Sequence, residues 1–383
     1  MRSDLEAGYL LAVCAAAVWT PAPLVAMLDA LGSARKLVEH ARDPYRKSAD
    51  RTVGLRLGDD VLARIARVDD RAALDALREA HEADGSFVTR SCAGYPKRLL
   101  HLCDAPPVLY HRGSLQALEN PTVAIVGSRA ATHYGTSMAS VLGSDFAAFR
   151  VTVISGLARG IDAAAHRGAL AGGGRTVAVI GSGLQALYPP YHALLADEMV
   201  ARGGAVVSEF PPRVAARPHQ FPMRNRLVAA LADATVVVEA GCKSGALITA
   251  RLAAELGRPV FALPGDVGRP TSEGTNGLIK DGVTLTTGAL DVHGLLNWPA
   301  IPMTDPSTRS PQRSAGAQES VALSDRRGSD ALLSALTSGG SDVEELSALT
   351  GLDAATIAAR LTVLEIQGLV ERHPGGRFSA VKR

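Results

Sequence analysis

Between residues 122 and 297, short apolar runs alternate regularly with longer helical segments, and this alternation constrains the fold more than any other feature of the sequence. Such short runs, rich in valine, isoleucine and threonine, are typical of strands buried on both faces. Their alternation with helices predicts an α/β fold, a Rossmann-like parallel sheet with helices on both faces. The predicted strands are residues 122–126, 152–154, 176–180, 205–207, 235–238 and 259–262.

The carboxyl end of the first predicted strand carries the first candidate site. Gly127 ends the strand, Ser128 and Thr132 are candidate caps of the next helix, and Arg129 lies on the turn. Ligands of open α/β sheets bind at this edge, and a helix N-terminus beside a guanidinium forms a site for phosphate oxygens. The alternative is an ordinary strand–turn–helix corner with a surface arginine.

The corner after the second predicted strand repeats the pattern with Ser155, Gly156 and Arg159. Asp162 and His166 follow four residues apart on one helical face, a spacing compatible with a metal or an acid–base pair. The sequence shows no third ligand, so helix capping by Asp162 is the preferred interpretation. We expect neither a metal nor a cofactor.

Two later helix starts add more cationic groups to the same sheet edge. Residues 224–226 (R-N-R) follow a proline, and residues 243–245 (K-S-G) begin another helix without the spacing of a Walker P-loop. Cationic residues placed by chance would be scattered over the surface, so their recurrence at one sheet edge favours a phosphate site. The predicted phosphate-binding residues are Gly127, Ser128, Arg129, Ser155, Gly156, Arg159, Arg224, Asn225, Arg226, Lys243, Ser244 and Gly245.

The overall charge and composition limit what this site can be. The net charge is only +2, so a nucleic-acid site must be a local patch. The four cysteines form no metal-binding spacing, which argues against zinc and fits a reducing cytoplasm. The apolar run at residues 9–19 is too short to span a bilayer, so we expect a cytoplasmic protein without membrane insertion. Aromatic residues for base stacking are scarce, at 4%.

The predicted sheet is flanked by smaller regions. Residues 1–85 show helical periodicity and predict a small helical domain of the SAM or helix-hairpin-helix kind, either a DNA contact or, preferably, a docking domain. Paired prolines between residues 87 and 115 suggest an extended connector that leads into an edge strand of the sheet. The predicted core domain, which includes this connector, spans residues 86–298.

The C-terminal part predicts a flexible linker at residues 299–328, followed by a winged helix at residues 329–383. Three short helices and a hairpin with a turn at residues 374–376 make up this pattern. The third helix carries Arg360 but also Asp353 and Glu365, and residues 311–383 hold 8 basic and 9 acidic residues. That balance is a poor footprint for duplex DNA.

Several segments resemble the bacterial DNA-processing protein A family (DprA, also called Smf). They are V-G-S-R at 126–129, S-G-L-A-R-G-I-D at 155–162, F-P-M-R-N-R at 221–226 and S-G-A-L-I-T-A at 244–250. The resemblance implies a Rossmann-like domain that is not an enzyme, binds single-stranded DNA, forms homodimers and loads the RecA recombinase in natural transformation. It also implies that the DNA-phosphate pocket is lined by Arg129, Ser155, Gly156, Arg224, Asn225 and Lys243.

Two alternatives remain at this point. Nucleotide-derivative hydrolases of the same superfamily resemble one another through a P-G-G-x-G-T-x-x-E motif, but here Thr249 and Ala250 stand where its glutamate belongs, and Glu239 precedes the glycines. The other alternative is a nucleotide-sensing regulator whose winged helix binds duplex DNA.

Overall fold

A computed structural model describes residues 2–17, 21–43, 57–82, 85–296 and 298, and parts of the tail between residues 335 and 380. Contacts between Cα atoms divide the chain into two compact units, Met1–Ile301 and Pro302–Arg383. Of the described helices, none is long and apolar enough to cross a membrane.

The first unit is built on a sheet of nine described strands in the order β1-β2-β6-β5-β4-β3-β7-β8-β9. Strands β3 to β9 run parallel, whereas β1 and β2 form an antiparallel margin. The strands are β1 (Ser86–Thr89), β2 (Val108–Gly113), β3 (Thr122–Val126), β4 (Thr152–Ser155), β5 (Thr176–Val179), β6 (Ala205–Ser208), β7 (Ala234–Val237), β8 (Val260–Ala262) and β9 (Thr284–Leu285).

The predicted parallel sheet is confirmed, and all six predicted strands lie within one residue of the observed bounds. One detail differs. The connector was expected to lead into an edge strand, but β2 lies inside the sheet because β1 pairs with its outer side, from Ser86 opposite His111 to Thr89 opposite Val108.

Successive side chains of β3 point to opposite faces of the sheet, and both faces are buried, which explains why the strand is apolar throughout. Val123 and Ile125 belong to one buried cluster, while Ala124 and Val126 belong to another on the opposite face. Because helices cover both faces, neither set of side chains reaches water.

Five described helices precede the sheet, as the periodicity predicts. They form their own core and pack on β2, where Leu11 and Ala80 contact Val108 and Tyr110. This packing favours the docking interpretation of the N-terminal region. The helices are α1 (Arg2–Ala16), α2 (Pro21–Leu31), α3 (Ala34–Arg42), α4 (Asp59–Ile65) and α5 (Asp70–Glu82).

The helices around the sheet bring the later sequence motifs to its carboxyl edge. Helices α6 and α7 approach closely at Gly143 and Gly168, where an added Cβ would meet the backbone of the other helix. The set is α6 (His133–Ala148), α7 (Ile161–Ala171), α8 (Ala193–Ala201), α9 (Gln220–Leu231), α10 (Gly245–Glu255), α11 (Glu273–Lys280) and α12 (Ala289–Leu295).

The described part of the second unit contains α13 (Val343–Thr350) and the hairpin of β10 (Val370–His373) with β11 (Arg377–Ala380). The predicted hairpin strands are therefore confirmed. Its small core includes Leu346 and Val370. The linker at 299–328, Asp353, Arg360 and the turn at 374–376 lie outside the described residues.

Candidate nucleic-acid interface

A cavity of about 760 Å³ lies at the carboxyl ends of the parallel strands. Its walls come from the loops after β3, β4 and β7 and from the first turns of α9 and α10. Most of the predicted phosphate-binding residues line this cavity, namely Gly127, Ser128, Arg129, Arg224, Asn225, Lys243, Ser244 and Gly245. The four corners therefore meet at one place.

The loop after β3 is fixed to its neighbours by backbone hydrogen bonds. Ser128 N donates to the Glu239 carbonyl at 2.7 Å, and Ile161 N donates to the Ser128 carbonyl at 3.2 Å. Thr132 N donates to the Glu239 carboxylate at 2.9 Å. Gly127 is required here because an added Cβ would lie 2.5 Å from Cγ1 of Ile161. Glu239, which the sequence did not single out as useful, is thus a buried anchor of the loop.

Arg224 supplies a buried cation to the cavity. Its side chain is only 4% exposed, and Nε has no hydrogen-bond partner among the described residues. Burial lowers the pKa of the guanidinium to about 10, Asp162 opposes this effect, and Arg129 adds to it. A cation in this condition gains from an anionic ligand.

Asp162 is the carboxylate of the cavity. It accepts hydrogen bonds from Gly156 N at 3.1 Å and Ala158 N at 3.3 Å, which fixes the loop after β4 at the start of α7. Burial raises the pKa of its carboxyl group, although Arg224 opposes this shift.

His166 does not join Asp162 in a site. Its Nδ1 donates to Oγ1 of Thr176 at 2.6 Å, because that hydroxyl donates its own proton to the Val153 carbonyl. Burial lowers the pKa of His166 to about 3, so the ring is neutral. The described residues contain no group of three or more histidine, cysteine or acidic side chains that could hold a metal.

The N-terminus of α10 forms another wall. Ser244 caps the helix by accepting from Ala246 N at 3.3 Å, and Nδ2 of Asn225 donates to the Gly245 carbonyl at 3.2 Å. The exposed Lys243 lies just before the cap. The first amide groups of a helix and a nearby ammonium group together favour an anion.

Two residues that were predicted to line the cavity do not do so. Ser155 is fully buried and donates to the Ile125 carbonyl at 2.6 Å. Arg226 is buried in ion pairs with Glu209 at 2.6 Å and Asp104 at 2.9 Å. Since Arg226 follows Arg224 by two residues, roughly 200° around a helix, the two side chains face opposite ways. The structure therefore places both of these predicted residues outside the cavity.

Gly156 and Arg159 line a smaller adjoining cavity of about 230 Å³, which also includes Arg129. Gly156 lies directly under Arg224, since an added Cβ would meet the guanidinium. Nε of Arg159 donates to the Arg129 carbonyl at 3.1 Å.

Aromatic side chains gather at this point despite their scarcity in the sequence. The Arg129 guanidinium lies 4.8 Å from the ring centre of Phe221, and the Phe221 and Tyr188 rings are 5.7 Å apart. Tyr191 is exposed beside them. The scarcity of aromatic residues in the sequence therefore did not predict this group, because composition does not report how residues cluster in space.

Comparison with known proteins identifies the family. The family model described as DNA recombination-mediator protein A matches residues 86–297, more than half of the chain. The chain belongs to this family. A second family model, the DprA winged helix domain, matches residues 317–376. The family match confirms the resemblance found in the sequence motifs.

Individual family members show how far the similarity extends. Protein Smf of Escherichia coli is 47% identical over 193 residues, which are 50% of this chain and 52% of that protein. Protein Smf of Synechocystis is 33% identical over 330 residues, covering 79% of this chain and 82% of its own length. The X-ray structure of DNA processing protein A from Streptococcus pneumoniae superposes with a TM-score of 0.64 at 31% identity, over 78% of this chain and 98% of that one.

Proposed function

We propose that the cavity at the carboxyl edge of the sheet binds single-stranded DNA through its phosphates. The observation that carries the proposal is the buried Arg224 guanidinium, whose Nε has no partner among the described residues. Arg129, Lys243 and the N-terminus of α10 face the same cavity. Charge-assisted hydrogen bonds from such groups to phosphate oxygens stabilise the bound strand.

The shape of the site favours single strands over duplexes. A base of a single strand can leave the stack and contact the rings of Phe221 and Tyr188, while its neighbouring phosphate meets Arg129 or Arg224. In a duplex the bases are paired and stacked inside the helix, so they cannot reach these rings. Stacking and phosphate contacts discriminate little between bases, which gives weak sequence preference.

Family membership supports a proposal for the wider role. We propose that the protein forms homodimers in the cytoplasm, protects incoming single strands and loads the RecA recombinase on them, as the resemblance implies. The family description, a recombination mediator, supports a recombinase partner. An exposed Leu285, 46% accessible on the edge strand β9, supports pairing with a second copy.

The direct test compares binding of a single-stranded oligonucleotide, its duplex and a free nucleotide to the full chain. We expect the single strand to bind more tightly than the duplex. Its log affinity should fall linearly with log salt, with a slope of about 0.7 per phosphate neutralised. Equal affinity for the duplex, or affinity that salt does not change, would contradict the proposal.

Gly156→Ala tests the contact between the loop after β4 and Arg224. The added Cβ would displace the Arg224 guanidinium, a flexible group, so we expect little change in stability. Single-strand affinity should fall about tenfold, since a displaced guanidinium loses a charge-assisted hydrogen bond to phosphate. Fluorescence anisotropy with a labelled oligonucleotide measures this change. Gly277→Ala is the matched control, since an added Cβ there meets nothing within 4 Å.

A further inference from the structure

The charges around the cavity exceed what one internal DNA phosphate can neutralise. Among the described lining residues, three cationic side chains, Arg129, Arg224 and Lys243, face one carboxylate, Asp162, which leaves an excess of at least two positive charges. A phosphodiester within a strand carries one negative charge and two free oxygens. A phosphomonoester carries about 1.5 to 2 negative charges near pH 7 and three terminal oxygens. The monoester is the better match.

The burial of Arg224 also favours a phosphomonoester. Its guanidinium is nine-tenths buried, whereas Arg129 and Lys243 are exposed. A phosphate that reaches Arg224 must enter the cavity. A terminal phosphate has only one nucleoside attached, so the cavity must accommodate one nucleoside. An internal phosphate needs room for a nucleoside on each side. A volume of about 760 Å³ lies within the ordinary range of small-ligand sites, roughly 300–1,000 Å³.

From these two observations we infer that the cavity prefers a nucleoside 5′-phosphomonoester, carried either by a free nucleotide or by the 5′-phosphorylated end of a DNA strand. The inference deepens the proposed function, since it concerns the same cavity. It predicts that strand ends bind more tightly than strand interiors, and that a nucleoside monophosphate competes with DNA.

The test is a competition against a single-stranded oligonucleotide labelled at its 3′ end and bound to the full chain. The competitors are the unlabelled oligonucleotide with a 5′-hydroxyl, the same oligonucleotide with a 5′-phosphate, thymidine 5′-monophosphate and thymidine. We expect the 5′-phosphate to improve competition about tenfold, the gain of one added charge-assisted hydrogen bond. Thymidine 5′-monophosphate should compete and thymidine should not.

The source of the phosphate is read from the same data. If thymidine 5′-monophosphate matches the phosphorylated oligonucleotide, the natural ligand is a free nucleotide; if it is much weaker, the ligand is a strand end. Equal competition by both oligonucleotides, with none by the monophosphate, would overturn the inference and leave the proposed function standing. A separate calorimetric titration of thymidine 5′-monophosphate covers the case in which no oligonucleotide binds. Binding of the monophosphate alone in that titration would support the inference and overturn the proposed function.

Dependence on pH gives a second readout. The phosphomonoester gains its second charge near pH 6, so the advantage of the phosphorylated oligonucleotide should grow from pH 5 to 7.5. The charged groups that face the cavity are Arg129, Asp162, Arg224 and Lys243. A ratio that does not change with pH would contradict the inference.

A pair of variants separates a specific contact from general charge. Lys243→Ala should reduce the advantage of the 5′-phosphate several-fold. Arg251→Ala also removes one positive charge, but from the outer face of α10, where the side chain is 72% exposed and pairs with Glu255. This control should leave the ratio unchanged. Equal loss in both variants would show that the preference reflects net charge only and would overturn the inference.

Discussion

The Arg224→Met variant is expected to bind single-stranded DNA about tenfold to a hundredfold more weakly while unfolding at a temperature no lower than that of the parent. Methionine keeps an unbranched apolar stem and removes the guanidinium that lines the cavity. A hydrogen bond from a charged donor to phosphate contributes about 1.5–3 kcal/mol, and every 1.4 kcal/mol is tenfold in affinity.

The stability half of this prediction follows from the pKa of Arg224. Burial lowers it from 12.5 to about 10, so the folded chain holds the charged form less favourably than the unfolded chain does. This burial of the charged guanidinium destabilises the folded state by on the order of 3 kcal/mol. The destabilisation is fully present at neutral pH, because it disappears only as the pH rises above the folded-state pKa. Asp162 loses a nearby opposite charge in the variant, which offsets part of the gain.

Two measurements test this prediction on three proteins, the parent, Arg224→Met and Arg251→Met. Anisotropy titrations measure DNA affinity, and thermal unfolding measures stability. Arg251→Met is the control, since it removes the same group from an exposed position on α10. Parental affinity in Arg224→Met would place Arg224 outside the site. A large drop in unfolding temperature would show that its role is structural.

The Arg226→Met variant is expected to do the opposite, losing about 3–5 kcal/mol of unfolding free energy while the folded protein keeps its DNA affinity. Removing Arg226 leaves Glu209 buried without its cation. Burial already raises the pKa of Glu209 and Asp104 raises it further, whereas Arg226 opposes both. The unfolding temperature should fall on the order of 10 °C.

Dependence on pH checks the cause of this loss. In the variant the buried Glu209 carboxylate is penalised at neutral pH and relieved when it takes up a proton, so the deficit relative to the parent should shrink as the pH falls. Unfolding curves of parent and variant from pH 7.5 to 5 measure it. An unchanged unfolding temperature with weakened DNA binding would contradict this prediction and show that Arg226 contacts DNA.

The contrast between Arg224 and Arg226 shows where prediction from the sequence stops. The strands were predictable because short β-branched runs between helices have few other interpretations. The shared sheet edge was predictable because parallel strands end on the same side. Which of two arginines at a helix start meets the cavity depends on the rotation of α9 against the sheet. Tertiary packing sets that rotation, and residue types alone do not report it.

The other differences have similar causes. Ser155 is the last residue of β4, and its hydroxyl turns inward to the Ile125 carbonyl instead of outward to the cavity. Tyr188 and Phe221 lie far apart in the sequence and meet only in the fold. A tyrosine beside two prolines and a phenylalanine before a proline were visible signals, but the low aromatic content obscured them.

The most direct test of the central claim asks where the DNA lies. A single-stranded oligonucleotide containing 5-iodouracil, irradiated in complex with the full chain, forms crosslinks that mass spectrometry of the digested protein can locate. Aromatic side chains that stack on bases are the expected partners. The cavity account predicts crosslinks at Phe221 and Tyr188, which lie in contact at the mouth of the site with Arg129. Crosslinks confined to the N-terminal helices or to the winged helix domain, residues 317–376, would contradict it.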